Sequence, residues 1–425
     1  MNLLVQTQLS NYSTSGKFIL EADSGWQMVM GRVRTLLKLK PDINVSIMCP
    51  NRDQLVTMPE HVNPDIINDS RVQCLHHKII PNALATRYDF DFTRIGNLLA
   101  ESKKQYTHVY INDPMHLRNF RALFYLQLKY MPKFFVHSHF IDNPECPKFP
   151  TEASLWYGQL EAAIKADYNF WQCESAMNVF LDSAGNYLSE VIVNDIKNKS
   201  APWDDGYSSD EILKNVDESN IRFSVPDDKI IVFVPNRVGG KGRSSDYTNC
   251  GKFLFEICNE LWKERQDFIV IAGNPSQKFS NDELNDLCDP YAKLFDGTLT
   301  RNEYRYVGRH SHISIGLYDQ DSYGGTAARE LLELGCLPVW INRYEYKSFA
   351  NATNYPYVAE ELNDVKQVLN DAIDYAKQES SFKKMSGGGT VFNDIWSLRD
   401  LNRIKCSYEM STMQALSIMF EGDND

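Results

Sequence analysis

The sequence predicts an α/β protein of two domains, each a parallel sheet flanked by helices. Short β-like runs alternate with stretches of helical apolar spacing along most of the chain, which is the pattern of strand–helix–strand units. The alternation forms two series, separated by a polar segment from Asn194 to Asp228. At 425 residues the chain is long enough for each series to bury a core of its own.

The first series begins with a β-like run at Leu3–Val5 and a helix that Ser24 can cap. Apolar residues recur along one face of this helix, at Trp26, Val29, Met30, Val33, Leu36 and Leu37. Short apolar and aromatic runs predict the later strands, at Val45–Cys49, His108–Ile111, Phe134–His137, Tyr168–Trp171 and Glu190–Val193. The first domain is therefore predicted at residues 1–198, and the polar stretch 199–228 is predicted to be a linker.

The second series begins at the apolar, β-branched run Lys229–Val234, which predicts a buried strand. Later, a glycine turn at 324–325 starts a short helix that stops at Gly335 and runs into an apolar strand through Trp340. The second domain is predicted at residues 229–394. Helical apolar spacing then resumes from Ile395 to Phe420.

Bulk composition is that of an ordinary globular protein, with 43% hydrophobic and 24% charged residues. No apolar run approaches the roughly 20 residues of a membrane span, and the N-terminal residues do not resemble an export signal. The nine cysteines are scattered singly, without a Cys-x-x-Cys pair, which is typical of reduced thiols rather than of a disulfide framework or a zinc site. We expect a cytoplasmic protein without a membrane span.

The glycine turn and the helix after it have the features of an anion site. The first-turn N–H groups of a helix lack partners within it, so Gly324, Gly325 and Thr326 can present amides and a positive dipole end to a phosphate. Glu330 lies one turn further along, where a carboxylate can accept hydrogen bonds from two vicinal hydroxyls of a ribose. The competing interpretation is an ordinary turn followed by solvated helix acids.

A second motif strengthens the nucleotide hypothesis. The run Lys229–Val234 ends in a glycine loop that contains Arg237, Gly239, Gly240 and Lys241. The planar fork of an arginine and the compact charge of a lysine suit a diphosphate that gains negative charge as it leaves. A solvated basic loop is the alternative.

These two motifs, in this order and about ninety residues apart, resemble the donor half of retaining GT-B glycosyltransferases. The resemblance implies two Rossmann-like domains that face an interdomain cleft, with a C-terminal helix within residues 395–425 that crosses back to the first domain. It also implies that Arg237 and Lys241 are catalytic residues that bind the donor phosphates, and that Glu330 binds the ribose.

The sequence differs from the pattern of this family at one position. Many members carry a further acidic residue eight positions before the ribose glutamate, and Ser322 stands there in this chain, so Asp321 is nominated instead. The residues predicted to bind the donor are Gly239, Gly240, Gly273, Asn274, Asp321, Tyr323, Gly324, Gly325, Thr326 and Glu330.

Charge is distributed unevenly along the chain. The net charge is −12, yet residues 1–140 hold 16 Lys/Arg against 11 Asp/Glu, a balance of +5, which leaves 28 against 45, or −17, for the rest. In a GT-B enzyme the first domain receives the acceptor, so the asymmetry favours an anionic acceptor. The basic residues predicted to contact it are Arg32, Arg118 and Arg121. Ordinary solvated helix faces would produce the same balance, and that alternative stays open.

Two further motifs resemble the bacteriophage DNA α-glucosyltransferase type, which glycosylates 5-hydroxymethylpyrimidines in duplex DNA. They are the run Phe135–His139 followed by Ala166-Asp167, and the stretch Glu330–Trp340. The resemblance implies an acceptor base extruded from double-stranded phage DNA in the host cytoplasm. His137 and His139 alternate at a strand end, so one is predicted to face the cleft and the other the interior. His139 is the predicted catalytic member, and His137 an acceptor contact.

No obligatory metal is predicted, because the two histidines lack a third ligand and Asp-x-Asp triplets, at Asp89–Asp91 and Asp319–Asp321, are common by chance in an acidic chain. The expected reaction is transfer of a glycosyl unit from a UDP-sugar to a hydroxyl with retention of configuration. The alternatives are a glycosyltransferase of cell-surface polysaccharide or lipopolysaccharide synthesis, a nucleotide-sugar epimerase on the same fold, and a binding protein without catalysis.

Overall fold

The computed structural model describes residues 1–425 except 8, 10–14, 82–87, 140, 142–151, 205, 223, 227, 236–251, 275–291, 297–298, 317–325, 343, 379–381, 385–389, 393–394 and 421–425. The chain divides into two compact units. The first unit comprises Met1–Gly206 and Tyr408–Asp425, and the second comprises Tyr207–Ser407.

Strands of the first unit form a parallel sheet and a small antiparallel pair. The strands of the sheet are β1 (Asn2–Gln6), β2 (Asn44–Pro50), β3 (Val72–His77), β6 (His108–Ile111), β7 (Lys133–Ser138), β8 (Tyr168–Trp171) and β9 (Ser200–Pro202). They lie in the order β3-β2-β1-β6-β7-β8-β9. The antiparallel pair is β4 (Ile79–Pro81) with β5 (Tyr88–Phe90).

Helices connect these strands and cover the sheet. They are α1 (Ser24–Leu39), α2 (Pro59–Val62), α3 (Pro64–Ile67), α4 (Phe92–Glu101), α5 (Leu117–Leu123), α6 (Glu152–Lys165), α7 (Glu174–Ala184), α8 (Glu190–Asn198) and, at the end of the chain, α16 (Tyr408–Phe420). A π-helical turn, Phe124–Leu128, continues α5. Short 3-10 turns occupy Leu20–Ala22, Arg52–Gln54 and Pro114–His116.

The second unit repeats this plan. Its parallel strands are β10 (Ile230–Val234), β11 (Phe268–Asn274), β12 (Ala292–Asp296), β13 (Ile313–Gly316), β14 (Leu337–Ile341) and β15 (Val358–Ala359), in the order β12-β11-β10-β13-β14-β15. Two further strands, β16 (Phe382–Lys384) and β17 (Thr390–Phe392), pair antiparallel. Its helices are α9 (Ser209–Ile212), α10 (Lys252–Glu264), α11 (Arg301–His310), α12 (Thr326–Leu334), α13 (Tyr344–Thr353), α14 (Val365–Ala376) and α15 (Trp396–Cys406), with 3-10 turns at Glu218–Asn220 and Leu362–Asp364.

In both sheets the strand order reverses beside the first strand of the unit. The reversal lies between β1 and β6 in the first unit and between β10 and β13 in the second. Every residue of β6 and β10 is buried, as expected for parallel strands covered by helices on both faces. Ligands of open α/β sheets bind outside the carboxyl ends of the strands at such a reversal. The reversals therefore mark where to look for a site in each unit.

The structure confirms most of the predicted strands and corrects one. The predicted strands from Leu3–Val5 to Tyr168–Trp171 coincide with β1, β2, β6, β7 and β8. Glu190–Val193, however, is the first turn of α8. Ser189 is extended before the helix, Glu190 suits the positive end of the helix, and Val191 is 79% exposed. An apolar run of three residues, Val191–Val193, fits a helix as well as a strand, and α8 buries only one face, at Ile196.

The stretch predicted as a linker, 199–228, contains regular structure. Its first residues form β9, which extends the first sheet by pairing with β8, and Trp203 after it is 1% exposed. The C-terminal segment that was predicted to cross back to the first domain is divided between the two units. Helix α15 belongs to the second unit, the chain extends at Ser407, and only α16 belongs to the first unit, where it packs on α1.

Replacing Gly31 by alanine tests the packing of α16 on α1. A Cβ at Gly31 would lie 2.2 Å from a ring carbon of Tyr408, the first residue of α16, so the ring would have to move. We expect a destabilisation of about 1–3 kcal/mol, measured as a lower midpoint of thermal unfolding. Gly185→Ala is the matched control, because its Cβ would meet a carbonyl oxygen at 3.3 Å, and its midpoint should stay close to that of the parent. An unchanged midpoint for Gly31→Ala would contradict this contact.

Candidate functional site

Polar side chains occupy the carboxyl ends of the central strands in the first unit. Gln6 ends β1, Asn112 and Asp113 follow β6, and His137 lies near the end of β7 with His139 just beyond it. The Oε1 atom of Gln6 accepts hydrogen bonds from the backbone N–H groups of Asn112 (2.9 Å) and Asp113 (3.0 Å). These bonds hold the segment after β6 against the end of β1, at the reversal of strand order.

Arg32 of α1 is buried beneath this edge, with 1% exposure. Its Nη1 donates to the Tyr110 hydroxyl (2.6 Å), and its Nη2 donates to the carbonyls of Trp203 (2.8 Å) and Asp204 (2.9 Å). The guanidinium carbon also lies 4.7 Å from the centroid of the Trp203 ring, a cation–π contact. The prediction that Arg32 contacts an acceptor at the surface is therefore wrong, because its charge is satisfied inside the unit.

Other cations of α1 also have partners within the unit. The Nε atom of Arg34 lies 2.6 Å from Oδ2 of Asp65, and Lys38 pairs with Glu409 of α16. These residues contributed to the positive balance of the first 140 residues. Their ion pairs show that part of the positive charge of residues 1–140 stabilises the folded unit.

The two other predicted acceptor arginines lie on α5. Arg118 is exposed, and its contact with an acceptor stays a prediction. Arg121 is half-buried: its Nη1 donates to the carbonyl of Lys165 (3.0 Å), and its guanidinium lies 5.5 Å from the Phe134 ring centroid. Arg121 thus connects α5 to the end of α6.

His137 and His139 lie side by side, both buried, with 0% and 8% exposure. Their ring centroids are 4.4 Å apart, and Nδ1 of His137 lies 3.3 Å from Nε2 of His139. The prediction that one faces a cleft and the other the interior is wrong, because residues two positions apart along a strand lie on the same face.

The hydrogen bonds around these rings assign the proton of His139. His137 Nε2 lies 3.0 Å from the Trp203 carbonyl, which only accepts, and 3.1 Å from Nη2 of Arg32, which only donates. His139 Nε2 lies 2.7 Å from Oδ1 of Asn112, which also accepts from the Tyr110 hydroxyl at 3.1 Å, so this Nε2 is a donor. Burial lowers the pKa of His137 well below its ordinary value, and the adjacent Arg32 and His139 lower it further. His137 is therefore neutral. With its proton on Nε2, the His139 ring has Nδ1 as its acceptor nitrogen.

In the second unit, α12 follows β13, the strand on the far side of the reversal from β10. Helix, glycine and strand occur as predicted: α12 ends at Leu334, Gly335 has a φ of 102°, and β14 begins at Leu337. Thr326 is the first residue of α12, as the anion-site hypothesis requires.

Glu330 lies in α12 with its side chain 9% exposed. Both carboxylate oxygens are held by Arg301 of α11: Nη1 donates to Oε2 (3.0 Å) and Nη2 donates to Oε1 (2.7 Å). Burial alone would lower the pKa of Arg301, but the Glu330 carboxylate raises it above its ordinary value. Arg301 lies 29 residues before its partner, too far along the chain for a local motif to indicate the pair.

Glu333, one turn further along α12, has a structural role. Its side chain is 0% exposed and is bound by Arg403 of α15, whose Nε and Nη2 donate at 2.6–3.0 Å. The Tyr207 hydroxyl donates to the same carboxylate at 3.1 Å, and burial and this carboxylate raise the pKa of Tyr207. The interpretation of Glu330 and Glu333 as solvated helix acids is therefore wrong.

A third buried glutamate, Glu303, lies at the start of α11 with 1% side-chain exposure. Arg222 binds it through Nε and Nη2, the latter 2.8 Å from Oε2. The N–H group of Thr300 donates to Oε2 (2.8 Å), while the Thr300 hydroxyl accepts from the N–H group of Glu303 (3.2 Å), which forms a capping box. These contacts lower the pKa of Glu303 to about 2, mainly through the Arg222 hydrogen bonds.

Several predicted site residues lie outside the described residues: Arg237, Gly239, Gly240, Lys241, Asp321, Tyr323, Gly324 and Gly325. Gly273 and Asn274 are the last two residues of β11, the neighbour of β10. Their contacts with a donor stay predictions.

No cluster of three or more potential metal ligands occurs among the residues that the structure describes. Of the predicted Asp-x-Asp triplets, one has a structural explanation: Asp91 is the N-cap of α4 and accepts from the N–H group of Arg94 at 3.1 Å. In the described part of the chain no helix is both long and apolar enough to cross a membrane.

Comparison with known proteins gives matches in structure alone. No protein-family model matches the chain, and neither does any curated protein sequence. HepE from Anabaena in complex with UDP superposes with a TM-score of 0.65 at 9% identity, covering 99% of this chain and 100% of that one. Sucrose-phosphate synthase from Thermosynechococcus elongatus superposes with a TM-score of 0.67 at 10% identity, covering 99% of both chains. The chain has the GT-B fold.

A third match limits what the fold implies. A putative UDP-N-acetylglucosamine 2-epimerase from Listeria monocytogenes superposes with a TM-score of 0.56 at 10% identity, covering 100% of this chain and 96% of that one. One fold thus carries proteins described as a synthase and as an epimerase, and function has to be argued from the site.

The proton assignment at His139 can be tested by nitrogen-15 NMR of the histidine rings. We expect the Nε2–H tautomer for His139, because Nε2 faces the Asn112 oxygen, and loss of this preference in Asn112→Leu. His310 is an internal control with the opposite expectation, since its Nδ1 lies 2.8 Å from the Tyr306 carbonyl. An Nδ1–H tautomer at His139 in the parent protein would contradict the assignment.

The Arg222–Glu303 pair predicts an acid dependence of stability. A folded-state pKa of about 2, against the ordinary 4.5, means that the pair stabilises fully above about pH 4.5 and loses its effect as the pH falls toward 2. The contribution is on the order of 2 kcal/mol once solvent screening of the exposed guanidinium is included. Urea unfolding at several pH values should show this loss in the parent and much less of it in Arg222→Gln.

A surface pair provides the control for this experiment. Arg34 and Asp65 form an ion pair whose side chains are 40% and 54% exposed, so Arg34→Gln should leave the acid dependence nearly unchanged. Identical pH profiles for Arg222→Gln and the parent would refute the assigned pKa of Glu303.

Proposed function

We propose that this chain is a glycosyltransferase that moves a sugar from a UDP-sugar to a hydroxyl group with retention of configuration. The observation that carries the proposal is the Glu330 carboxylate, which is buried and oriented by Arg301 one turn inside the helix that follows the sheet reversal. That is where the resemblance to GT-B glycosyltransferases expects the glutamate that binds the ribose of the donor.

The topology of the second sheet supports a shared donor site. Strands β10 and β13 are parallel neighbours, so the chain leaves both strands at the same edge of the sheet. The segment after β10 carries Arg237 and Lys241, and the segment after β13 leads to Thr326. We propose that the two cations and the first-turn amides of α12 bind one diphosphate there, with Gly239, Gly240, Gly324 and Gly325 allowing close approach. Gly273 and Asn274, at the end of β11, leave the sheet at this edge as well and would border the base.

The proposed reaction exchanges one bond for another at the anomeric carbon of the sugar. The bond from this carbon to the diphosphate oxygen breaks and UDP departs with the electron pair. The acceptor oxygen forms its bond on the same face, and its proton passes to the departing phosphate oxygen. Arg237 and Lys241 would stabilise the charge that develops on the diphosphate. Asp321 and Tyr323 would contact the donor sugar, and no step requires a metal.

The proposed acceptor is a hydroxymethylated pyrimidine in double-stranded phage DNA, in the cytoplasm of the host. The positive balance of residues 1–140, the exposed Arg118 and the Phe135–His139 motif support it. His139 would accept a hydrogen bond from a hydroxyl through Nδ1, while neutral His137, which lies behind it, adds no charge. A cell-surface glycan acceptor would need the same donor site and differs only in what the first unit binds.

A nucleotide-sugar epimerase is the second candidate, favoured by the structural match to the Listeria protein. It would use the same ribose glutamate but no acceptor. The two activities are therefore separated by whether a product forms when the nucleotide sugar is the only substrate.

The deciding experiment incubates the protein with a panel of UDP-sugars and duplex DNA that contains hydroxymethylcytosine or hydroxymethyluracil. After digestion, mass spectrometry of the nucleosides should show one added hexose or pentose, and proton NMR should show the anomeric configuration of the donor. Unmodified duplex and lipopolysaccharide core sugars are the comparison acceptors. Transfer to the sugars alone would reject DNA as the acceptor, and isomerised UDP-sugar without transfer would identify an epimerase.

Arg237→Ala tests the leaving-group assignment. Loss of a cation that stabilises the departing diphosphate should lower turnover at least tenfold with the fold intact. Lys263→Ala is the control, because Lys263 is exposed near the end of α10, at the amino edge of the second sheet. Unchanged turnover for Arg237→Ala, with thermal unfolding like that of the parent, would remove Arg237 from the mechanism.

A further inference from the structure

In the Arg301–Glu330 ion pair, one side chain is buried and the other is partly exposed to solvent. The Glu330 side chain is 9% exposed, whereas the Arg301 side chain is 43% exposed. Two parallel hydrogen bonds of 3.0 and 2.7 Å join them, one to each carboxylate oxygen. A bidentate fork of this kind fixes the plane of the carboxylate as well as its distance from the guanidinium.

A carboxylate held by such a fork still has acceptor capacity. Its two oxygens offer about four lone-pair directions, and the two hydrogen bonds from Arg301 occupy two of them. Among the residues that the structure describes, only Arg301 donates to these oxygens, which leaves one further acceptor direction on each. The spacing between the oxygens is set by the carboxylate itself. Two hydroxyls on neighbouring carbons are the ligand that matches two acceptors at this spacing.

Arg301 is itself held in place by its surroundings. It is the first residue of α11, directly after the Thr300 cap, and its guanidinium carbon lies 5.4 Å from the centroid of the Tyr304 ring. The Tyr304 hydroxyl donates to the carbonyl of Ala327 at 3.1 Å, in the first turn of α12. The start of α11 is therefore joined to the start of α12, and contacts within the protein orient the fork.

We propose that Arg301 is a positioning residue that sets the Glu330 carboxylate for a vicinal diol, and so makes the donor site selective for ribonucleotides over 2′-deoxyribonucleotides. The proposal rests on the proposed function, because it takes Glu330 as the ribose ligand. A 2′-deoxyribose leaves one acceptor of the buried carboxylate without its hydroxyl. A carboxylate fixed by Arg301 cannot turn toward water to recover that hydrogen bond, whereas a released one can.

The Arg222–Glu303 pair offers a matched comparison in the same unit. It is also a bidentate arginine on a buried glutamate, and Glu303 lies on α11, two residues after Arg301. Glu303, however, belongs to the capping box of that helix and is not assigned to any ligand. Loss of Arg222 should therefore weaken the fold without changing nucleotide selectivity.

The test is titration calorimetry of UDP and 2′-deoxy-UDP on the full chain. We expect the parent to bind UDP at least tenfold more tightly than 2′-deoxy-UDP. In Arg301→Gln the ratio should fall to within about threefold, mainly through weaker binding of UDP, and in Arg301→Lys it should be intermediate because a lysine cannot form the fork. Arg222→Gln should keep the ratio of the parent while its thermal midpoint falls.

The outcomes separate the two proposals. A parent-like ratio in folded Arg301→Gln would overturn the role of Arg301 and leave Glu330 as the ribose ligand. A parent protein that binds both nucleotides equally, and whose Glu330→Gln variant binds UDP with unchanged affinity, would overturn both the ribose assignment and the role of Arg301. No binding of either nucleotide would overturn the proposed function itself. A ratio that falls equally in Arg222→Gln and Arg301→Gln would reduce Arg301 to a structural residue.

Discussion

A carboxylate that leaves water needs a cation and hydrogen bonds to stay ionised, and the second unit depends on meeting that requirement along one helix. Helix α12 carries two buried glutamates one turn apart. Arg301 of α11 binds Glu330, and Arg403 of α15 binds Glu333 together with the Tyr207 hydroxyl. Removing one partner of such a pair costs several kcal/mol, because the other charge is left buried and uncompensated. The helix that would meet the donor phosphates is thus held by ion pairs to the helices α11 and α15.

The first unit also stabilises a charge away from water, in this case the guanidinium of Arg32. Arg32 is held by two carbonyls, a tyrosine hydroxyl and the Trp203 ring. This charge adds to burial in keeping His137 neutral, so the His137 imidazole forms hydrogen bonds without adding charge. One arginine thereby connects α1, β6 and the segment after β9, and orders the polar groups at the sheet reversal.

Local pattern predicted much of the fold. Strands β1, β2, β6, β7, β8 and β10 are short apolar runs bounded by polar residues. The order of helix, glycine and strand around Gly335 was also predicted from the residue types. The pattern failed at Glu190–Val193, where an apolar run belongs to a helix that buries one face only. It missed β3, which lies at the sheet edge and is only partly buried, and β9, which is three residues long. Such strands form because a neighbouring strand supplies their hydrogen-bond partners. That neighbour is distant along the chain, so the residues of the strand do not indicate it.

The sequence by itself determined the two series of strands and helices, the position of Glu330 within its helix, and the uneven distribution of charge. Those properties depend on residues within a few positions of one another. Only the tertiary structure decided which charges face a ligand and which face the interior. The partners of Glu330, Glu333, Glu303 and Arg32 lie 29, 70, 81 and 171 residues away along the chain. A charged residue on an amphipathic helix has the same local signature whether it is solvated or paired, so the pairing arises only when distant elements pack.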